Sequence, residues 1–444
     1  MTATETGADT QAPSAATAAG LTPLQRAKAI VGGSAGNLVE WYDWFAYSSF
    51  ALYFAPHFFP KGDSTAQLLQ TAAIFAVGFF ARPLGAWLMG LYADWKGRRA
   101  ALALSVGMMC LGALAIAVLP DARSIGAWAP LGLLAARILQ GLSVGGEYGA
   151  SATYMSEMAG RARRGFWASF QYVTLIGGQL LAVGVLILLQ NVMDRAALED
   201  WGWRIPFVIG ALLAVVVFWI RTGMDESPSY VAAKAEGAER ARTMMLFAKY
   251  PRESAIIFVL TAAGSLAFYA YTTYMLKFLS QTAGFSKPVA STINGVTLVI
   301  FMVAQPLFGW LSDKFGRKTT IAAAFLGGAV ATYPAMTAIS GTASPATALA
   351  LVALLLLLLS GYTAVSGLVK AELFPAHVRA LGVALPYAIA NAMFGGTAEY
   401  MALWFKDIGA ESGFYVYVSV IMAAAFLVAV RLRNTNVHSL IKED

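Results

Sequence analysis

The chain has 444 residues, of which 58% are hydrophobic and 12% charged, with a formal net charge of +7, and its mean hydropathy is +0.63. No water-soluble fold needs so much apolar surface, which excludes an ordinary cytosolic enzyme or binding module. The basic excess fits a face turned toward anionic lipid and excludes nucleic acid as the partner.

Residues 1–22 are rich in Ala, Thr, Ser and Gly, with no basic stretch before an apolar core, so 1–29 reads as a cytoplasmic tail and not as a signal peptide. Apolar windows long enough to cross a bilayer follow at 30–56, 66–92, 100–119, 127–156, 165–191, 203–221, 254–280, 289–311, 319–340, 345–370, 379–405 and 412–432. Lipid offers the backbone no hydrogen-bond partner, so each is expected to be helical. The predicted fold class is an all-α membrane protein with twelve transmembrane helices. Cys110, the single cysteine, lies in the third window, which excludes an intramolecular disulfide and a cysteine-based metal cage and leaves a helix-packing role.

Lys and Arg in short loops stay on the inner side of a membrane. With the amino terminus inside, 21 of them fall at inner ends, against six at outer ends: Lys61, Arg123, Arg195, Lys277, Lys287 and Lys406. Both termini, including the tail 434–444, are therefore expected in the cytoplasm.

A polar stretch at 222–252 divides the chain into 30–221 and 253–433, with six windows on each side. Gly90, Asp94, Gly97, Arg98 and Arg99 recur 219 residues later as Gly309, Asp313, Gly316, Arg317 and Lys318, and Glu157 and Arg164 recur 215 residues later as Glu372 and Arg379. Two repeats at nearly one offset indicate duplication. They predict two pseudo-symmetric six-helix bundles with a substrate site between them. An ATP-driven pump would need a phosphate-binding Gly-rich loop with Lys and a soluble domain, and neither occurs. Gly32 to Gly36 formally matches a serine-hydrolase elbow, but His57, His377 and His438 all fall at window ends or in the tail, away from Ser34. A channel would not require the duplicated signature.

These repeats, with Asp225-Glu226-Ser227-Pro228 after window six, resemble the major facilitator superfamily. Gly36 to Trp41, Ala81 to Gly85, Arg137 to Gly149, Trp201 to Phe207, Ser169 to Gln179 and Lys370 to Pro375 extend the likeness to its metabolite:proton symporter branch. The resemblance implies the major facilitator fold, a bacterial inner membrane and proton symport of a small organic acid, with 2-oxoglutarate first and citrate, shikimate, proline or betaine as alternatives. It also implies that the duplicated signature is a cytoplasmic gate, with Asp94 beside Arg98 and Arg99 in one half, Asp313 beside Arg317 in the other, and Glu157, Arg164, Glu372 and Arg379 around them. Trp95 departs from the superfamily pattern, which has a basic residue after that Asp.

Charges at membrane depth persist only where they face water or a partner. Asn37, Glu40 and Asp43 form one stripe of window one, Arg82 lies mid-way along window two, Arg137 and Glu147 lie in window four, and Lys370 ends window ten. A dicarboxylate needs compensating cations, and the planar fork of Arg grips carboxylates. Arg82 and Arg137 are therefore the candidate anchors, Arg82 with the alternative of a buried bridge to Asp43 and Arg137 with that of a bridge to Glu40 or Asp43. Glu40, then Asp43, are the candidate proton carriers. Gln171 and Gln179, Tyr269, Tyr271 and Tyr274, and Asn391 are candidate polar contacts from windows five, seven and eleven, with Tyr271 and Gln171 ranked first. Lys277 reads as an outer interface anchor. The chain is expected to act as a monomer without a cofactor, protons serving as coupling ion.

Overall fold

The computed structural model describes residues 23–96, 98–144, 156, 163–222, 249–432 and 439–440, with their side chains except at 23–36, 90, 93–95, 98–99, 102, 220–222 and 376–377. These residues are almost entirely helical. Six helices make the first half: α1 (Pro23–Phe58), α2 (Ser64–Lys96), α3 (Arg98–Val118), α4 (Trp128–Val144), α5 (Arg164–Val192) and α6 (Ile205–Thr222). The second half has α7 (Pro251–Tyr271, resuming as Met275–Gln281), α8 (Lys287–Phe315), α9 (Arg317–Ser340), α10 (Pro345–Glu372), α11 (Val378–Asp407) and α12 (Glu411–Ala429). Among the described residues nine helices are long and apolar enough to cross a membrane, Ala103–Val118 and Trp128–Val144 are shorter apolar helices, and α1 completes the twelve.

Among the described residues α1 already runs from Pro23, ahead of the apolar window that starts at residue 30. The helix thus takes in Arg26 and Lys28, which the sequence reading left in the tail. Residues 1–22 of that tail, 223–248 of the linker, Glu147, Glu157 and the side chains of Asp94, Arg98 and Arg99 lie outside the described residues.

Small residues set how closely helices cross. Where α2 meets α4, a Cβ on Gly85 would strike the Leu142 backbone and a Cβ on Gly141 would strike the Gly78 carbonyl. The halves meet through aromatic rings near mid-length. Phe45 lies 6.2 Å from both Phe268 and Tyr269, and Phe79 meets Tyr269 edge-on at 5.2 Å. Helices facing this layer are interrupted: α7 at residues 272–274 and α11 by a π-turn at Asn391–Gly395. Interruptions of this kind free backbone groups beside a central site.

The α2–α4 crossing predicts that Gly141→Leu destabilises the bundle by about 1–3 kcal/mol or more. Gly107→Ala, where nothing lies within 4 Å of an added Cβ, is expected to leave stability unchanged. Thermal unfolding in detergent checks the contrast.

Candidate anion site and its closures

The site is built on one face of α1. Glu40, Trp44 and Ser48 succeed one another at four-residue steps, so they stack along the helix, and Trp44 carries the central contact. The Arg82 guanidinium from α2 lies 3.8 Å from the Trp44 ring centroid, and the Arg137 guanidinium from α4 lies 4.0 Å from it. Phe79 supports Arg82 at 4.3 Å and Tyr47 supports Arg137 at 4.5 Å. Both cations are buried, at 7% and 0% exposure. Their aromatic neighbours satisfy the faces of the forks but not the edges, and Nε and Nη2 of both arginines lack hydrogen-bond partners. An unmet buried donor costs about 1–3 kcal/mol, and more on a charged group. Four such donors on two adjacent cations suit an anion with several oxygens.

Arg137 reaches Asp43 through an intermediary. Its Nη1 donates to Gln140 Oε1 at 2.8 Å, and Gln140 Nε2 donates to Asp43 Oδ2 at 2.6 Å. A direct Arg137–Asp43 bridge, one expectation from the sequence, is thus replaced by a neutral relay. An amide can do this because it carries a donor and an acceptor together. Gln140 was missed in the sequence, where its position three residues after Arg137 was the available signal. Glu40 stands within electrostatic reach of Arg82, as do Tyr269 and Tyr387, and Tyr269 brings in Asn391 from α11.

The other α7 tyrosines point elsewhere. Tyr271 shares a hydrogen bond with Thr332 and donates to Met422 Sδ at 3.4 Å, inside the second bundle. Tyr274 donates to Glu411 Oε1 at 3.3 Å. Of the three, Tyr269 is the one within electrostatic reach of both guanidinium groups; Tyr271 lies two residues, roughly 200°, round the same helix, and Tyr274 falls in the break at 272–274. Gln179 donates across the halves to Thr273 Oγ1 at 3.5 Å, and Gln171 is buried on the same helix; among the described residues neither touches the pair. Lys370 packs over Tyr387 at 4.5 Å. Lys277 is no interface anchor: it is wholly buried and paired with Glu399 at 2.9 Å, a carboxylate 122 positions along the chain that no local pattern links to it.

At the other end of the halves, Asp313 of α8 caps α5. Its carboxylate accepts from the Gly165 N–H at 2.8 Å and the Phe166 N–H at 3.0 Å, satisfying donors that a helix start leaves unpaired and meeting its positive end. Gly165 and Gly309 lie so close that a Cβ on either would strike the other's carbonyl. Arg317 lies 3.6 Å from Asp313 and 3.1 Å from Glu372. Arg379 donates to the Phe374 and Leu440 carbonyls at 3.3 and 3.0 Å. Arg164 is buried beside this cluster, at the start of α5.

A family model described as "Sugar (and other) transporter" matches residues 28–249 and 236–443. The chain belongs to that family. Among transporters like it, the alpha-ketoglutarate permease of Escherichia coli K12 is 53% identical, with 92% of this chain and 94% of the relative covered. The citrate-proton symporter of Klebsiella pneumoniae is 32% identical over 84% and 83%. A crystal structure of a D-xylose-proton symporter superposes with a TM-score of 0.75 at 21% identity, covering 93% of this chain and 99% of that one. A structure of the proton:xylose symporter of the major facilitator superfamily, bound to 6-bromo-6-deoxy-D-glucose, also gives 0.75, at 19% identity over 94% and 98%. These establish the two-domain major facilitator fold and a transporter, not an enzyme.

In this transporter, Asp313→Asn keeps the shape of the cap and removes its charge. Spin labels at the exposed positions Arg163 and Lys314, each changed to Cys in a Cys110→Ser background, are expected to report a longer mean distance in this variant by electron–electron double resonance.

Proposed function

We propose that the chain is a proton-coupled importer of 2-oxoglutarate or a close dicarboxylate, resident in the bacterial inner membrane and working by alternating access between its two bundles. The observation that carries the reading is the pair of buried guanidinium groups on Trp44 with four unpartnered donor nitrogens. A dicarboxylate offers four oxygens at two separated charges and so meets both forks at once. The 53% identical relative is named for the same substrate, and the citrate-proton relative supports both an acidic cargo and the proton as coupling ion.

Coupling follows from competition. Arg82 has Glu40 as its electrostatic neighbour, and Arg137 has Asp43 through Gln140. A substrate carboxylate that draws the guanidinium away leaves the protein carboxylate uncompensated in a dry interior, which favours its protonation. Proton and anion then travel together. The distribution of Lys and Arg supports cytoplasmic termini, and a complete site within one chain supports a functional monomer.

Two experiments test this reading. In proteoliposomes, labelled 2-oxoglutarate is expected to accumulate under an imposed inward proton gradient and not without one; uptake blind to the gradient removes the coupling, and absence of uptake with excess citrate transported instead reassigns the cargo. Arg82→Ala and Arg137→Ala are each expected to reduce uptake by about 100-fold or more, the scale of a lost charge-assisted pair, while inserting normally. Asp43→Asn and Glu40→Gln are expected to lose gradient-driven accumulation while keeping substrate counterflow.

A further inference from the structure

Opposite Asp313, on the outer side of the guanidinium pair in the orientation proposed above, α1, α7 and α11 meet in a buried knot. Lys277, with 0% of its side chain exposed, pairs with Glu399, at 3%, over 2.9 Å. Its other donors cross to the first half: Nζ donates to the Ser48 carbonyl at 2.9 Å and to Ser48 Oγ at 2.6 Å. The Ser48 hydroxyl in turn donates to Glu399 Oε2 at 2.8 Å. An ammonium has three donors, and all three are used. Ser48 lies one turn from Trp44 on the same face of α1, and its neighbour Tyr47 stacks against Arg137. The knot therefore roofs the anion site.

The ion pair belongs wholly to the second half, and among the described residues Ser48 is the one that hydrogen-bonds to it from the first. Parting the halves breaks the serine contacts but keeps the two charges together, avoiding the large penalty of a bare buried ion. A serine also moves aside without a long chain to reorder. We propose that Ser48, Lys277 and Glu399 form the outer lock of the anion site, a neutral hydroxyl on one bundle clamped by an intact ion pair on the other, whose strength sets how often the site faces outward.

The lock rests on the alternating-access reading, but its test uses no substrate, so the two fail separately. Phe45, 0% exposed and facing Phe268 and Tyr269 across the halves, serves as reporter when changed to Cys in a Cys110→Ser background. A membrane-impermeant maleimide is added to right-side-out vesicles. Ser48→Ala removes two hydrogen bonds to charged groups and is expected to speed labelling about tenfold or more. The neutral double variant Lys277→Met with Glu399→Gln, which leaves neither charge bare, is expected to speed it similarly. Combining all three changes is expected to add little, because they remove one interaction. Labelling at the parent rate in both Ser48→Ala and the double variant, or fully multiplicative effects in the combination, would overturn the lock.

Discussion

Two guanidinium groups share one indole deep in an apolar protein, and the arrangement works because Arg keeps its charge delocalised over a plane. The aromatic rings take up the faces of both forks, so the cations are tolerated without a carboxylate bonded to each. Their edges stay available. A lysine in the same place would have no face to stack, and its point charge would demand oxygen ligands from the protein itself. Trp44 therefore decides that the cationic site is held by the protein yet not consumed by it. The Gln140 relay follows the same logic, since an amide positions Arg137 while leaving Asp43 a charge apart.

The two ends of the molecule close by different chemistry. On one side a carboxylate of α8 sits on the N–H groups that start α5, an anion against a helix end, backed by the Arg317–Glu372 pair. On the other a hydroxyl is caught between two opposite charges. Breaking the first separates a full charge from a partial one, while the second gives up hydrogen bonds and separates no net charge. On the alternating-access proposal, access to the site would be governed by contacts of unequal kind, with the buried rings of Phe45, Phe79 and Tyr269 packed between the halves.

Much of this was legible in the sequence because bilayers constrain it so tightly. Helix number, the duplication, and Arg82 and Arg137 as central cations all follow from apolar length, offset and the rarity of charge at depth. The pairing of Asp313 with Arg317 could be named from the motif, but not that Asp313 also spans to α5, since that contact joins residues about 150 positions apart. Trp44 was hidden by abundance, as one aromatic among many in an apolar helix. Its signal was the four-residue spacing from Glu40. Lys277 was misread because a lysine near a helix end ordinarily snorkels, and only tertiary proximity to Glu399 says otherwise. Tyr269 lost out to Tyr271 because an all-round apolar helix gives no phase from which to choose a face.

The Gly165–Gly309 approach bears on speed as well as on shape. Two backbones that touch without side chains have no rotamers to freeze when they meet and none to free when they part. On the alternating-access proposal these ends would re-form their contact at every cycle with no search among conformers, and one extra methyl on either glycine would hold them apart. A transporter that must open and shut once for every molecule it carries is well served by a stop made of bare main chain.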